Sequence, residues 1–385
     1  MRTPSTPSTP PPPLPPLPLL LLLLPCVVAI PAARPQYQVL VNTTTGSLQG
    51  FVEQGSRKWL GVPYAEPPVG DRRWRPPAPK KHWGSAPRDA TMFKPDCAQF
   101  GPGWPSLGIT DLNTTSEDCL TLNVFAPLGT VAGGAPVVVF FPAGGYTWGA
   151  ANDAEMNAYA KASAPGWQNV VFVTANYRVS IFGFLAHQSL RSRSPSGSTG
   201  CYGSQDQREA LRWVQSNIAQ FGGDPKRVMI FGESAGATSI TTHMVMKDSW
   251  GLFQRAAADS GGFSDWVRNF DDASDVFENV TAALGCADKP DPVACMVAKP
   301  TKDLLDATDP FYGYVHGKHP VLPHPESVLG TQWAPVVDGV EMTATPQVLL
   351  EQGHVAPNVP MLLGSNRDEG SLFREQVRAT QNVPC

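Results

Sequence analysis

"RVMIFGESAGATSITTHMVM", residues 227–246, is the stretch of sequence that decides the fold. It begins with a short apolar run typical of a buried strand, and the part from Ala235 onward is a good opening for a helix. At the junction Ser234 stands between Gly232 and Gly236, where bulk on either side would clash within a tight turn. The stretch therefore predicts a nucleophile elbow at Ser234. The alternative is a glycine-rich connection with an incidental serine.

Three more apolar runs extend this strand into a sheet. The sequence between the second and third strands, residues 206–221, has apolar residues at helical spacing, with Asp206 as the expected N-cap and Gly222-Gly223 as a stop. Strand, helix and strand in this order predict an α/β fold with a mostly parallel, doubly wound sheet. The predicted strands, covered on both faces, are "PVVVFF" (136–141), "VVFVTA" (170–175), "RVMIF" (227–231) and "VPMLL" (359–363).

Short polar or glycine-rich segments follow three of these strands. In a parallel sheet, ligands bind beyond the carboxyl ends of the strands. The backbone N–H groups of Gly144, Gly145 and Ala235 are then candidate donors to a developing oxyanion, since glycine lets the chain approach a substrate closely. The alternative for the first segment is a plain surface turn. The segments are "PAGGY" (142–146), "GESAG" (232–236) and "GSNRDEG" (364–370).

Longer motifs in the sequence, among them "FGGDPKRVMIFGESAG" (221–236) and "EDCLTLNVFAP" (117–127), occur in an order that resembles the type-B carboxylesterase/cholinesterase family of α/β-hydrolases, from about residue 37 to the end of the chain. The resemblance implies an α/β-hydrolase fold without a cofactor, and hydrolysis of small carboxylic esters through an acyl-enzyme. It implies Ser234 as nucleophile, Glu369 as the acid that orients a histidine, and the oxyanion donors named above. It also implies the disulfides Cys97–Cys119 and Cys286–Cys295. The motifs are "FGGDPKRVMIFGESAG" (221–236), "EDCLTLNVFAP" (117–127), "LGVPYAEPPVG" (60–70), "ANYRVSIFGF" (175–184) and "LGSNRDEGSLF" (363–373).

Some positions depart from the family pattern. The donor loop of the family usually begins His-Gly-Gly-Gly, whereas here Pro142-Ala143 precede Gly144-Gly145, and proline removes one N–H. Cys201 stands where the family often has asparagine. Trp266 falls where the family often puts an acyl-pocket tryptophan, and a core position is an equal alternative.

The catalytic base is the largest departure. In this family the histidine lies far beyond the acid, but "SLFREQVRATQNVPC" (371–385) contains none. We therefore expect the sequence to be C-terminally incomplete, lacking the final strands and the histidine loop, and to carry an open sheet edge with exposed apolar surface. The alternative is a non-catalytic cholinesterase-like binding or adhesion protein, or an inactive truncated isoform.

The histidines within the chain are weak substitutes for that base. His243 lies about 13 Å along the predicted helix from Ser234. His354 precedes the last predicted strand, and so sits at the opposite end of the sheet. His82 and His187 are equally well explained as surface or core residues. The remaining three, in a stretch rich in proline and glycine that could fold over the cleft, are His316, His319 and His324.

The first 33 residues resemble a secretory leader. An apolar run of about a dozen residues fits a signal peptide cleaved near residues 29–33, and it falls short of the ~20 that a membrane span needs. A disordered Pro-rich tail and a retained signal anchor are the alternatives. The rest, 34–385, reads as one carboxylesterase domain, in which "RSRSPSGSTG" (191–200) predicts an exposed loop.

Composition and cysteines agree with a secreted protein. Local cysteine spacings suit an oxidising compartment, and three sequons, at Asn42, Asn113 and Asn279, are compatible with glycosylation. A net charge of −4 and a pI near 6.0 argue against a nucleic-acid partner. No CxxC motif or His/Cys cluster indicates a metal. The ester itself is undetermined, although Trp104 and Trp148 are candidates for an aromatic site that binds a quaternary ammonium.

Overall fold

The computed structural model describes residues 38–99, 115–152, 169–263, 266–308 and 333–369. All of them lie in one compact unit, Pro35–Cys385. The predicted leader lies outside the described residues. So do the Asn113 sequon, Trp104 and the three histidines between residues 316 and 324. No helix within the described ranges is long and apolar enough to cross a bilayer.

The strands form one large sheet and two small ribbons. The strands are β1 (Gln38–Thr43), β2 (Gly46–Glu53), β3 (Ser56–Pro63), β4 (Arg88–Asp89), β5 (Asp96–Cys97), β6 (Thr115–Ser116), β7 (Thr121–Pro127), β8 (Ala135–Phe141), β9 (Val171–Ala175), β10 (Gly223–Glu233), β11 (Arg255–Asp259), β12 (Arg268–Asn269), β13 (Val336–Val337) and β14 (Met361–Gly364). The helices are α1 (Ser180–Phe184), α2 (Tyr202–Asn217), α3 (Ala235–Val245), α4 (Phe270–Ala283), α5 (Pro292–Val297), α6 (Thr301–Asp306) and α7 (Pro346–Glu351), with 3₁₀ turns at Gly70–Arg72, Gln188–Arg193, Ile218–Phe221 and Lys247–Ser249.

The large sheet has two halves of opposite character. Its order is β1-β2-β3-β7-β9-β8-β10-β11-β14, and β4 pairs with β2. From β9 to β14 all neighbours are parallel, whereas β1, β2, β3, β7 and β9 are joined by antiparallel pairs. The four predicted strands are β8, β9, β10 and β14, so the prediction of an α/β sheet is confirmed in the parallel half.

Burial distinguishes the inner strands from the last one. Every residue of β9 is buried, and so are all but one of β8, as expected for strands covered on both faces. β14 is different: Leu362 and Leu363 are 73% and 53% exposed. Among the described strands β14 has β11 as its neighbour on one side only. The prediction that this apolar run is covered on both faces is therefore wrong, because β14 lies at the edge.

Helix α2 begins five residues earlier than its sequence pattern predicts. Its N-cap position is Cys201, and Asp206 lies inside the helix rather than at its start. Asp206 is fully buried and accepts two hydrogen bonds of 2.7 Å from the Arg178 guanidinium, a tertiary ion pair that a helix pattern cannot reveal. The predicted stop is correct in kind: Gly222 has φ 90° and ends the 3₁₀ turn that follows α2.

The segment 191–200 is not the exposed loop that its composition predicts. Its first residues belong to a 3₁₀ turn, and its last three are buried. A Cβ on Gly200 would lie 2.6 Å from atoms of Ala186 and Val336, so the segment runs through a packed contact. Small polar residues fit there because their hydroxyls bond locally, as Ser194 does with Ser196 and Ser198.

The cysteines pair as the resemblance implies. Disulfides join Cys97 to Cys119 and Cys286 to Cys295. Cys201 is a buried free thiol that donates to the Val336 carbonyl at 3.2 Å, and burial raises its pKa. Both disulfides close local loops, which limits the conformations of the unfolded chain.

Candidate active site

Ser234 occupies a sharp turn between β10 and α3. Its φ and ψ are 56° and −121°, a conformation that costs a non-glycine residue free energy unless the surroundings impose it. Its backbone N–H donates to the carbonyl of Asp259 on β11 at 2.9 Å. The turn therefore holds the hydroxyl at the carboxyl end of the central strand. This is the elbow geometry that the sequence predicts.

The glycines on either side of Ser234 are sterically required. A Cβ on Gly232 would lie 2.4 Å from the carbonyl carbon of Gly236. A Cβ on Gly236 would lie 2.3 Å from the carbonyl oxygen of Phe141, at the end of β8. Both distances are below any that real Cβ atoms show to backbone. The two glycines thus let the turn close on itself and let α3 approach β8.

The donor loop continues from β8 in an unusual backbone conformation. Gly144, Gly145 and Tyr146 have φ values of 104°, 60° and 58° in succession. The carbonyl of Gly144 accepts from the N–H groups of Thr147 and Trp148 at 3.0 and 3.1 Å, which closes a tight turn. Because a trans peptide points its C=O and N–H in opposite directions, the N–H of Gly145 faces away from that turn.

Three backbone donors at this edge have no acceptor among the residues that the structure describes. Within the described ranges, no residue accepts a hydrogen bond from the N–H of Gly144, Gly145 or Ala235. Nor does any described residue hydrogen-bond the Ser234 hydroxyl. Gly145 and Ala235 are buried, and buried N–H groups without an acceptor are rare in native proteins. These amides can therefore serve an oxygen that arrives with a substrate.

Glu369 follows β14, and its carboxylate is held by Ser260, a residue that the sequence motifs did not identify. Its Oε1 accepts from the Ser260 hydroxyl and from the N–H of Asn366, both at 2.5 Å. The Ser260 hydroxyl, and then the Asn366 N–H, lower the pKa of Glu369, so the carboxylate stays ionised. The signal for Ser260 was its place in "ADSGG" (258–262), directly after β11.

The strand register brings these segments to one edge of the sheet. Phe141 at the end of β8 pairs with Gly232 on β10. Asp259 at the end of β11 pairs with Glu233 on one side and Gly364 on the other. The donor loop, the elbow and the acid segment therefore leave β8, β10 and β14 at the same level of the sheet, with β11 between the last two, as parallel strands predict.

Backbone strain is concentrated around the same edge. Four non-glycine residues there have φ between 55° and 61°: Tyr146, Ser180, Ser234 and Ser260. Tyr146 and Ser180 are joined directly, since the Ser180 N–H donates to the Tyr146 carbonyl at 2.7 Å. Strain of this kind persists where the surrounding structure over-determines the backbone, and it clusters at functional sites.

The nearest histidine in sequence is fully occupied in the core. His243 lies on α3 with its Nδ1 2.9 Å from the Ser249 hydroxyl and its Nε2 3.0 Å from Oε1 of Gln207. Burial, with a smaller contribution from the Arg208 charge, lowers the pKa of His243 to about 3. A ring with both nitrogens bonded and so low a pKa is unsuited to accept a proton from Ser234.

The other described histidines also lie away from the nucleophile. His354 follows α7, and nearby Ala356 donates to the carbonyl of Met244 at the C-terminal end of α3, opposite to Ser234. His187 stacks on Phe277 at 4.3 Å, and His82 is exposed. No described histidine contacts Ser234 or Glu369.

The two described tryptophans of interest occupy different settings. Trp148 is partly buried, and its indole packs on the donor loop, since a Cβ on Gly144 would lie 2.7 Å from its Cδ1. Trp266 is partly buried against the main apolar core. Of these two tryptophans, Trp148 is thus the one that packs on the loop of the candidate oxyanion donors.

The family model and the curated relatives that match this chain point to the same family. Residues 37–384 match the carboxylesterase family model. The chain is 33% identical to a fumonisin B1 esterase of Sphingopyxis macrogoltabida, over 91% of this chain and 60% of that protein. It is 35% identical to a para-nitrobenzyl esterase of Bacillus subtilis (87% and 63%) and 36% identical to an acetylcholinesterase of Danio rerio (89% and 53%). The chain therefore spans less than two thirds of the length of these relatives.

Solved structures show the same fold. A carboxylesterase of Geobacillus stearothermophilus superimposes with a TM-score of 0.74 at 33% identity, over 90% of this chain and 65% of that one. A PNB esterase gives a TM-score of 0.75 at 34% identity, over 87% and 64%.

Proposed function

The chain belongs to the carboxylesterase family, and from that premise we propose that it hydrolyses carboxylic esters through an acyl-enzyme on Ser234. One observation carries the proposal: among the described residues, neither the hydroxyl of the strained Ser234 nor the three backbone N–H groups at the same sheet edge has a hydrogen-bond partner. Such an arrangement costs folding free energy, and it is useful where an oxyanion forms next to a nucleophile. The family relatives are esterases, which supports the same reaction class.

The proposed reaction has two halves. Ser234 Oγ attacks the ester carbonyl, and the N–H groups of Gly144, Gly145 and Ala235 stabilise the negative oxygen, each worth about 3 kcal/mol. Collapse of the tetrahedral intermediate expels the alcohol and leaves the acyl group on Ser234. Water then attacks the acyl-enzyme, and the carboxylic acid leaves.

The base in this proposal is a histidine that lies outside the described residues. It takes the proton of Ser234 and passes it to the leaving alcohol, while the ionised Glu369 orients its ring. Two facts support this assignment. The described histidines lie away from Ser234, and the chain spans 53–63% of the length of its curated relatives.

A non-catalytic binding role is less consistent with the site. Binding to another protein does not require a serine with a positive φ angle. Nor does it require buried backbone N–H groups that lack an acceptor among the described residues. The ester itself is proposed only as a class, small carboxylic esters. The names of the relatives include a fumonisin B1 esterase, a para-nitrobenzyl esterase and an acetylcholinesterase, which are different substrates on one fold.

Free imidazole provides a direct test. It titrates near neutral pH, so from solution it can act as the general base that takes the proton of Ser234. We expect the 385-residue chain alone to hydrolyse p-nitrophenyl acetate little better than its Ser234→Ala variant. With imidazole added, we expect a Ser234-dependent increase and a transient acetyl group on Ser234 in the intact mass.

The Ser234→Ala variant also corrects for the reaction of imidazole with the ester in solution. Equal rates for the two proteins with imidazole, and no acetyl adduct, contradict the proposal. Robust Ser234-dependent turnover without imidazole points to a base within the chain itself.

We also propose that the protein is secreted and glycosylated. Residues 1–33 have the composition of a signal peptide, and two disulfides suit an oxidising compartment. Of the sequons, Asn42 is exposed on β1 and Asn279 is exposed on α4. Expression in a eukaryotic secretory host should yield protein in the medium that loses mass on enzymatic deglycosylation. An unchanged mass contradicts the glycosylation.

A further inference from the structure

The carbonyl of Pro142, where the donor loop leaves β8, is held from two sides. The hydroxyl of Tyr177 donates to it at 2.9 Å. On the other side α3 approaches so closely that a Cβ on Gly236 would lie 3.2 Å from the same oxygen. Within the described ranges, Tyr177 is the hydrogen-bond donor to this carbonyl. The position of the Pro142 carbonyl therefore depends on its packing against α3 and on the hydrogen bond from the buried Tyr177 hydroxyl.

The next two carbonyls of the loop are held in turn. The carbonyl oxygen of Ala143 lies against Gly149, where a Cβ would come within 2.2 Å. The carbonyl of Gly144 accepts from Thr147 and Trp148. In a trans peptide each carbonyl sets the direction of the following N–H. The carbonyls of Ala143 and Gly144 thus aim the N–H groups of Gly144 and Gly145, and the Pro142 carbonyl sets the first plane of the series.

Tyr177 is suited to hold this first plane. It follows β9 in the chain, is 2% exposed and belongs to the main core, so its side chain has little freedom. Burial raises the pKa of Tyr177 well above its usual value, so the hydroxyl keeps the proton that it donates. Because Pro142 has no backbone N–H, it cannot donate a hydrogen bond that would fix the start of the loop.

The far end of the loop has a second, weaker attachment. Tyr146 is 1% exposed, and its Oη lies 3.3 Å from the hydroxyl of Ser239 on α3, which donates to it. The same Ser239 hydroxyl lies 2.9 Å from the carbonyl of Ala235. The loop is thereby connected to the helix that carries the third candidate donor.

We propose that Tyr177 is a positioning residue for the oxyanion donors. Its hydroxyl holds the Pro142 carbonyl, and through the loop it aims the amides of Gly144 and Gly145 toward the reacting oxygen. The inference rests on the proposed function, since it assigns a role within the same site. Tyr177 itself does not touch the substrate.

The test compares Tyr177→Phe with a matched control, Tyr202→Phe. Tyr202 is also fully buried, and its hydroxyl makes one bond of 3.1 Å to Thr199, away from the donor loop. Each variant loses one oxygen and one hydrogen bond, so a general loss of stability affects both. Unfolding midpoints of both variants establish that the comparison is made on folded protein.

The first readout is kinetic, with imidazole as the external base. Oxyanion bonds form in the transition state, so Tyr177→Phe should lower kcat about tenfold and change KM by less than about twofold. Tyr202→Phe should leave both near wild type. If the two variants change kcat equally, the proposal is overturned.

The second readout is amide hydrogen exchange, which needs no activity. Tyr177→Phe should accelerate exchange of the N–H groups of Thr147 and Trp148, which the Gly144 carbonyl protects, and Tyr202→Phe should not. Unchanged exchange in Tyr177→Phe overturns the proposal. Absence of Ser234 acylation in the wild-type chain contradicts the proposed function instead, and the exchange result still decides whether Tyr177 holds the loop.

If Tyr177→Phe does not fold, Tyr146→Phe tests the other end of the same loop. Its hydrogen bond is longer, so the expected loss of kcat is smaller, about threefold, again with little change in KM. If kcat and loop exchange in Tyr146→Phe equal those of Tyr202→Phe, the proposal that buried tyrosine hydroxyls position the donor loop is overturned.

Discussion

The proposed nucleophile, Ser234, and the proposed acid, Glu369, follow β10 and β14, two strands that are separated by β11 and have very different surroundings. Ser234 lies between β10 and a fully buried α3, with packing on both sides that leaves no room for a methyl group at Gly232 or Gly236. Glu369 follows an edge strand whose leucines face solvent, and two hydrogen bonds hold its carboxylate. One half of the site is imposed by the core, and the other half by a few local contacts.

The difference shows which parts of a site a fold can preorganise by itself. The elbow and the donor loop gain their geometry from strands β8, β10 and β11, which are paired on both sides. The acid segment gains its position from one pairing, β11 with β14, and from Ser260. We therefore expect substitutions on the nucleophile side to have large effects on stability and those on the acid side to have small ones.

The largest effect should come from Gly236→Ala. The added methyl group would meet the Phe141 carbonyl oxygen at 2.3 Å, and backbone on both sides must move to admit it. We expect a loss of about 3 kcal/mol in the free energy of unfolding, measured by denaturant titration. Gly129→Ala is the control, because a Cβ there meets nothing within 4 Å and the expected change is within about 0.5 kcal/mol.

Equal stabilities of Gly236→Ala and Gly129→Ala would contradict the expectation that the Ser234 side of the site is fixed by core packing. They would mean that α3 can shift away from β8 at little cost, and that the elbow is not imposed by packing. The far-ultraviolet circular dichroism of both proteins should be measured first, so that a loss of fold is recognised as such.

The smallest effect on stability should come from Leu362→Lys on the acid side. A lysine at a position that is 73% exposed should change the free energy of unfolding by no more than about 0.5 kcal/mol. Self-association should nevertheless decrease, because an exposed apolar edge strand is a template for pairing with another chain, and charge opposes it. Sedimentation velocity at several concentrations measures this.

Leu40→Lys is the matched control for that experiment. Leu40 is 61% exposed on β1, at the opposite edge of the same sheet, without the second exposed leucine that accompanies Leu362. A lysine there should reduce association less. If both variants behave alike, the edge at β14 is not the adhesive surface, and the contrast between the two sides of the site is smaller than its exposure indicates.

Sequence patterns captured the parallel half of the fold because its signals are local. Apolar runs and a glycine-flanked serine predicted β8, β10 and the elbow, and the predicted family is confirmed by the match over residues 37–384. The position of Glu369 came from the family resemblance, and its role stays a proposal. The exposure of β14 agrees with the expected open sheet edge, although the apolar run by itself predicts a strand covered on both faces, because such a run does not reveal which strands flank it.

The errors arose where tertiary contacts override local preference. Asp206 has the character of an N-cap, but it lies inside α2 because it pairs with Arg178 in the core. The segment 191–200 is rich in serine and glycine, yet its end is packed against residues from distant parts of the chain. Tyr177 lies in the family-like stretch 175–184 and Ser260 lies directly after β11, but only the arrangement of the strands shows what their hydroxyls contact.

The order of strands in the sheet also has a consequence for the synthesis of the protein. Strands β8 to β11 leave the ribosome in one continuous stretch, and residues 260–360 are made before β14. At about 5–20 residues per second, that interval lasts roughly 5–20 s. During this time the nascent chain can assemble the serine turn and its donor loop while the outer side of β11 is still unpaired. The segment that carries Ser234 is thus synthesised before the segment that carries Glu369, and β11 gains its outer neighbour only when residues 361–364 have been made.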